Sequence, residues 1–366
     1  MVLPLLPLYA AQFGADATAV GLLVGLYAGV QFVCLPAIGA LSDRVGRRPV
    51  LLACLLGTAA AYGLLALASS LPLMVCALLL DAITGGNLSV AQALAADRTA
   101  PEERAGVMGR LGVAFALGLV VGPAVGGALG GMALRLPFAA AFGLALANVL
   151  VGLVALRGEH GRQERRPARD GGWAFVRGWW GDGAVRHLLL ALFLLNLAFA
   201  GLQSNFPLFS ATRFGWDARA NGSIFTLVGI CAVLAQGVLV GRLQRWIGGR
   251  AVVRCGFVGL AAGLGWMGLA GAAWALFPAV CLAALGSSLA IPTLTALLSS
   301  EAGEERQGAV LGSMAALLSL TQVIGPPLAG FLFDRVGPPA PYLLGSALAG
   351  LGLAVFMARS ARQAEA

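Results

Sequence analysis

GALSDRVGRRPV, at Gly39–Val50, returns 202 residues downstream as GRLQRWIGGRAV, at Gly241–Val252. The copies share Gly at the first and eighth places, Leu at the third and a closing Arg-x-Val. Further along, PEERAG (Pro101–Gly106) matches GEERQG (Gly303–Gly308) at the same offset, and GPAVGG (Gly122–Gly127) matches GPPLAG (Gly325–Gly330) at 203. Three matches in one order at nearly constant spacing signal an internal duplication, so one structural plan is used twice.

Between these islands the chain is apolar. Of 366 residues 59% are hydrophobic and 11% charged, where a water-soluble domain carries roughly a quarter charged residues. Ala17–Ile38, Pro49–Leu80 and Cys255–Ser300 contain no charge at all. Crossing a bilayer takes about 20 apolar residues as helix, because lipid offers no partner to an open backbone. A barrel strand would alternate apolar and polar residues, and these runs do not. The two longer runs predict helical hairpins, broken at Ser69-Ser70-Leu71-Pro72 and Gly271-Ala272-Ala273. The expected fold is therefore all-α and membrane-embedded.

Pro, Gly and charge clusters divide the chain into twelve segments, near 1–13, 17–40, 49–69, 72–95, 105–130, 134–156, 187–211, 217–240, 251–270, 273–299, 308–332 and 339–358. The predicted organisation is a six-helix half over 1–156, a linker over 157–186, a second half over 187–358 and a tail over 359–366. Two parallel six-helix repeats are a plan used by membrane transporters. All 24 basic residues are Arg, and 20 of them fall in the loops after even-numbered segments, the linker and the tail. Arg135, Arg213, Arg219 and Arg335 are the four on the other side. The Arg-rich side is expected to be cytoplasmic, which makes this a multi-pass protein of the cell (inner) membrane with both termini in the cytoplasm. The net charge of +8 is thus topological, and no nucleic-acid partner is expected.

The first segment is short for a span. Matching Pro7-Leu8-Tyr9 to Pro207-Leu208-Phe209 leaves six residues upstream against about twenty in the second copy, so roughly a dozen residues of the first helix are expected to be missing from this chain. In the linker, Trp173, Phe175, Trp179 and Trp180 with Arg177 read as a segment lying on the inner leaflet. Cys34, Cys54, Cys76, Cys231, Cys255 and Cys281 lie in or beside apolar runs without metal-ligand spacing and read as small buried hydrophobes. No metal, nucleotide or other cofactor site and no enzymatic constellation emerges, and the linker is short for a sensor's signalling domain.

The loop GALSDRVGRRP resembles the signature between the second and third helices of the major facilitator superfamily. In the sequence Gly39 is placed for close helix approach, Asp43 for capping or pairing, Gly46 for the turn, and Arg44, Arg47 and Arg48 for topology. The resemblance implies a twelve-helix fold and a charge network of Asp43 and Arg47 with Asp97 that latches the outward-facing state. In the second copy Arg245 stands where Asp43 stands in the first. Gly109, Gly118, Gly122, Pro123, Gly126 and Gly127, spaced G-x8-G-x3-G-P-x2-G-G, are similar to the antiporter motif of proton-coupled drug exporters such as the tetracycline efflux proteins. Small residues let helices touch, and Pro bends them.

One departure from that pattern concerns the fourth segment, where exporters of this family carry Arg in an R-x-x-x-G run. Here the run is Asp81-Ala82-Ile83-Thr84-Gly85. Asp81 is the sole acid in the interior of an apolar run; a carboxylate at such depth is costly, so it should face a cavity and act as a proton carrier. A first-helix acid, usual in such antiporters, is the other coupling candidate. Gln31, Asn87, Gln92, Asn196, Gln203, Asn205, Gln236 and Gln322 are the buried-looking polar residues expected to line the substrate cavity or to bond helices together. The expected function is proton-coupled efflux of small lipophilic or drug-like molecules by alternating access. A metabolite facilitator or importer, or a non-transporting membrane sensor, are the alternatives.

Overall fold

The structure, a computed structural model, describes residues 2, 4–100, 102–156 and 183–364, with side chains for all of these except 105, 183–184, 302–309 and 359–364. The aromatic linker segment and the end of the tail lie outside the described residues. Helices alone occur among those described: α1 (Leu6–Ala11), α2 (Ala17–Val45), α3 (Arg47–Leu67), α4 (Leu71–Thr84), α5 (Asn87–Asp97), α6 (Arg104–Gly130), α7 (Leu136–Ala155), α8 (Gly183–Phe214), α9 (Ala218–Leu234), α10 (Val240–Ile247), α11 (Gly249–Leu269), α12 (Leu276–Arg335) and α13 (Ala340–Ala364). Eleven helical stretches among the described residues are long and apolar enough to cross a membrane. The all-helical fold expected from the apolar runs is the fold observed, and the chain is a multi-pass membrane protein.

The duplication is visible in the turns. Gly46 and Gly248, equivalent in the two copies, both take positive φ, +108° and +79°, a region L side chains avoid. Asp16 and Asp217 cap α2 and α9 alike, accepting from the amides of Ala19 at 2.7 Å and Ala220 at 2.8 Å. Two of the four Arg residues that violate the charge bias have paired work. Arg135 donates to the carbonyl of Ala68 at the end of α3 (3.2 Å), and Arg213 to that of Gly268 at the end of α11 (3.3 Å). Cations are favoured at helix C-termini, where carbonyls lack intrahelical donors.

Three elements differ from the segment plan. Helix α2 continues to Val45, so Gly39, Asp43 and Arg44 are helical and the expected loop shrinks to Gly46. The fourth segment is interrupted at Gly85–Gly86, giving α4 and α5; two adjacent glycines carry the weakest helix preference short of Pro. Helix α12, Leu276–Arg335, holds two spans, Ala273–Glu301 and Val310–Arg335. Gly268, closing α11, packs against Pro339 and Leu343, so both ends of α12 lie at one face and the element doubles back. A π turn at Ala235–Leu239 joins α9 to α10.

The contacts group into two units. Among the described residues, the first lies within 1–15, 26–168 and 217–226, the second within 16–25, 169–216 and 227–366. In the first, α3 packs against α4, α5 and α7, and Val50, Leu51, Cys54, Val90 and Leu156 form a buried cluster. Tyr9 is fully buried there, its ring 4.6 Å from that of Phe138 and its hydroxyl donating to the carbonyls of Leu65 (3.0 Å) and Ala68 (3.1 Å). Tyr9→Phe strips the end of α3 of that donor and is expected to cost about 1–2 kcal/mol, read as a lowered unfolding temperature in detergent. In the second unit α12 packs on α8 and α11, and α13 on both of those. Gly256, Gly259 and Gly263 of α11 face Ala279, Ala283, Gly286 and Ala290 of α12 so closely that backbone meets backbone.

Candidate transport site

Asp81 lies one turn before the end of α4 and is buried, at 8% exposure. The Tyr27 hydroxyl of α2 donates to its Oδ2 at 3.1 Å, and Gln31 Nε2, one turn along α2, donates to the Tyr27 oxygen at 3.3 Å. Thr58 of α3 is buried, and its Oγ1 has no hydrogen-bond partner of good geometry, although it neighbours the Asp81 carboxylate, as does Tyr62 of the same helix. Close approach of α3 to α4 is set by Gly57, where a Cβ would overlap Thr84. Gly85 serves the same end for α2, since a Cβ there would stand 2.7 Å from Gln31 Nε2. Asp81 was expected to face a cavity. It is buried among α2, α3 and α4, where hydroxyl and amide groups meet the carboxylate that lipid could not.

Tyr27, Thr58 and Tyr62 were missed by the sequence reading, which ranked polar residues by amide and charge. No sequence signal marked them: Tyr27 and Tyr62, two of the chain's four tyrosines, become neighbours of this acid only through helix packing. At the repeat offset of 202 the counterparts of Tyr27, Gln31, Thr58, Tyr62 and Asp81 are Gly229, Val233, Leu260, Leu264 and Ala283. Gly57–Thr84 has its counterpart in the Gly259–Gly286 contact. The helix packing is duplicated while every polar group has been replaced by an apolar one.

At the Arg-rich end, Arg47 joins both acids named for the network. Its Nη2 lies 2.6 Å from Asp43 Oδ1 and its Nε 3.1 Å from Asp97 Oδ2. Nη1 donates to Ser42 Oγ at 2.5 Å, and Ser42, fully buried, donates to the carbonyl of Gly39 at 2.7 Å. Arg44 is exposed, and Arg48 Nε is buried without a partner among the described residues. Gly39 is not at a close approach, having nothing within 4 Å of a built Cβ, since α2 carries it past the packed region. The second copy keeps a different arrangement: Gln244 donates to Thr293 at 3.0 Å, Arg250 pairs with Glu301 at 3.7 Å, and Arg245 bonds back to Gly241. Lys cannot span two carboxylates as a guanidinium does. Arg47→Lys is therefore expected to lower the transport rate about tenfold, the worth of one charge-assisted bond, with expression unchanged; rate per molecule in vesicles measures it.

The glycine motif of α6 divides by position. Gly127 packs against Gly222 of α9, whose built Cβ would lie 2.8 Å from the Pro123 carbonyl, and Gly126 is buried. Gly109 and Gly118 have open space around them, and Gly122 is half-buried. Close packing thus explains the end of the motif and not its beginning. Among the polar candidates, Gln31 belongs to the Asp81 cluster. Asn87 accepts from the Leu88 amide at 2.8 Å and Asn196 donates to the Leu192 carbonyl at 2.8 Å. Gln92, Gln203, Gln236 and Gln322 are exposed, Gln236 within the π turn. Asn205 is fully buried, and neither end of its amide has a partner among the described residues. Of the cysteines, Cys54 and Cys231 are buried as expected, whereas Cys76 and Cys255 are exposed, which a lipid-facing thiol tolerates as a small apolar group.

The sequence profile of the Major Facilitator Superfamily matches residues 1–312 and 214–366, which together span the chain. The chain belongs to the major facilitator superfamily. Among superfamily relatives, it is 36% identical over 309 residues to the tetracycline resistance protein, class C, of Escherichia coli, covering 84% of this chain and 78% of the relative. It is 34% identical to the class D protein of Salmonella ordonez, over 97% of this chain and 91% of the relative. The human organic anion transporter MFSD10 (TETRAN) superposes with a TM-score of 0.67 at 26% identity, over 95% of this chain and 88% of that one. A bacterial homologue of the human lysosomal transporter Spinster gives 0.75 at 14% identity, over 98% and 92%, which shows the shared superfamily fold. The protein is a secondary transporter, and no catalytic chemistry is expected of it.

Proposed function

We propose that this superfamily member is a proton-coupled exporter of small lipophilic molecules, tetracyclines foremost. The carrying observation is the Asp81–Tyr27–Gln31 cluster, a carboxylate buried among neutral hydrogen-bonding groups, in a chain whose relatives include tetracycline resistance proteins. A carboxylate so placed exists neutral in one conformation and charged in another when its surroundings change, which is what coupling to protons requires. The moving bodies are the halves 1–156 and 187–358, joined by the 157–186 linker and rocking around a central pathway. The protein sits in the cell's inner membrane with both termini in the cytoplasm, following the Arg bias. Asp43, Arg47 and Asp97 act as a latch on the cytoplasmic side, and Gly109 and Gly118 keep one face of α6 open towards the pathway. Inverted vesicles with an acidic lumen are expected to accumulate tetracycline and to lose it when the pH gradient is collapsed. Accumulation indifferent to the gradient would instead mark a facilitator.

A further inference from the structure

On the Arg-poor side, the second unit contains the first turns of α2, residues 16–25. Asp334, in the last turn of α12, reaches them with both oxygens. Oδ2 accepts from the Thr18 amide at 2.7 Å and from the Thr18 hydroxyl at 2.6 Å, and Oδ1 accepts from the Ala17 amide at 3.3 Å. Helix α2 already has its own cap in Asp16, so Asp334 is a second acceptor brought by a helix more than 300 residues away. Beneath it the two backbones touch. A Cβ on Gly330 would overlap the Ala17 carbonyl, one on Gly21 the Pro326 carbonyl, and one on Gly25 would stand 2.7 Å from the Pro327 ring.

The duplicated seam lies in the first unit, where residues 217–226 of α9 meet the end of α6. Glycine again permits contact: a Cβ on Gly127 would be 2.6 Å from the Gly222 Cα. Asp217 caps α9 from within, as Asp16 caps α2. At the offset of 203 set by the Gly-Pro repeat, however, the counterpart of Asp334 is Gly131, which has no side chain and faces Arg219. One seam therefore has a carboxylate clasp over its glycine contact and the other has the glycine contact without that clasp.

We propose that Asp334 is a positioning residue of the transport cycle, a clasp that holds the start of α2 against α12. The proposal rests on the alternating-access reading but not on proton coupling. Withdrawing the start of α2 from α12 breaks these three hydrogen bonds as well as the glycine contact. The withdrawn Thr18 and Ala17 amides then face water and exchange.

Hydrogen–deuterium exchange of the full chain in lipid nanodiscs, without substrate and at fixed pH, reads this directly. Wild type is expected to protect peptides covering 16–25, with those covering 217–226 as the reference seam. Asp334→Ala should speed exchange in 16–25 about tenfold, the effect of losing a charge-assisted bond, while 217–226 and the α11–α12 seam stay unchanged. Thr18→Val, which removes the hydroxyl donor alone, should fall between. Should Asp334→Ala also release the α11–α12 seam, it has unfolded locally, and Asp334→Asn with Thr18→Val decides in its place. Unaltered exchange of 16–25 in those variants overturns the clasp. Failure of gradient-driven transport would reject the coupling proposed above and leave this result standing.

Discussion

Asp81→Asn is expected to abolish gradient-driven accumulation while leaving substrate exchange across the membrane. Asn has the shape of Asp and keeps an acceptor for Tyr27, so the α2–α3–α4 packing persists, but it cannot take up or release a proton. One proton moving down a potential of about 100 mV supplies about 2.3 kcal/mol, enough for roughly a fiftyfold concentration ratio. That ratio should collapse to unity in Asp81→Asn vesicles. Counterflow, in which labelled substrate exchanges against unlabelled without net driving force, should persist because the protein still alternates. Retained accumulation would remove Asp81 from coupling and direct attention to a carboxylate in the first helix. Loss of counterflow as well would make Asp81 a residue of the conformational change itself.

The second large effect is expected at Gly286→Val. A Cβ there would overlap the Leu260 amide nitrogen and lie 2.6 Å from the Gly256 carbonyl, both backbone atoms of α11. A flexible side chain could swing aside, but a helix backbone cannot, so α12 must shift as a body and forfeit packing along the seam. Overpacking a core costs about 1–3 kcal/mol, and a backbone clash belongs at the upper end. Some 3 kcal/mol corresponds to about 6–12 °C in unfolding temperature for a domain of this half's size. Gly109→Val is the control, since nothing lies within 4 Å of its Cβ; it should alter melting by a small fraction of that. Equal losses at both positions would show that helix propensity, and not the seam, is responsible.

The all-helical fold and the membrane were legible because both depend on local composition. Chargeless runs of span length leave no other solution in lipid, and Ser69–Pro72 and Gly271–Ala273 mark breaks found between α3 and α4 and between α11 and α12. The positive-φ glycines 46 and 248 were legible for the same reason, as a turn needs its own residues. The break at Gly85–Gly86 was less so, since Gly-Gly also serves helix contact in membranes, and in a chain with 52 glycines the two uses look alike. Gly39 and Gly127 make the point: one faces open space, the other meets a second glycine, and nothing near either in sequence tells them apart.

Asp81 stood out in the sequence because a charge in an apolar run is rare at any position. Its partners did not, since Tyr27, Gln31, Thr58 and Tyr62 come from two other helices and are ordinary residues until packing brings them together. The same holds for Asp334, which reads as a loop acid beside Arg335 and becomes a partner of Thr18 through helix contact alone. The duplication, the helical membrane fold and the bias of Arg to one side follow from the sequence, because each is a statement about composition and spacing along the chain. Which of two equivalent seams carries a clasp, and which polar groups surround the buried acid, depend on contacts between residues tens to hundreds apart, and only the tertiary structure decides them.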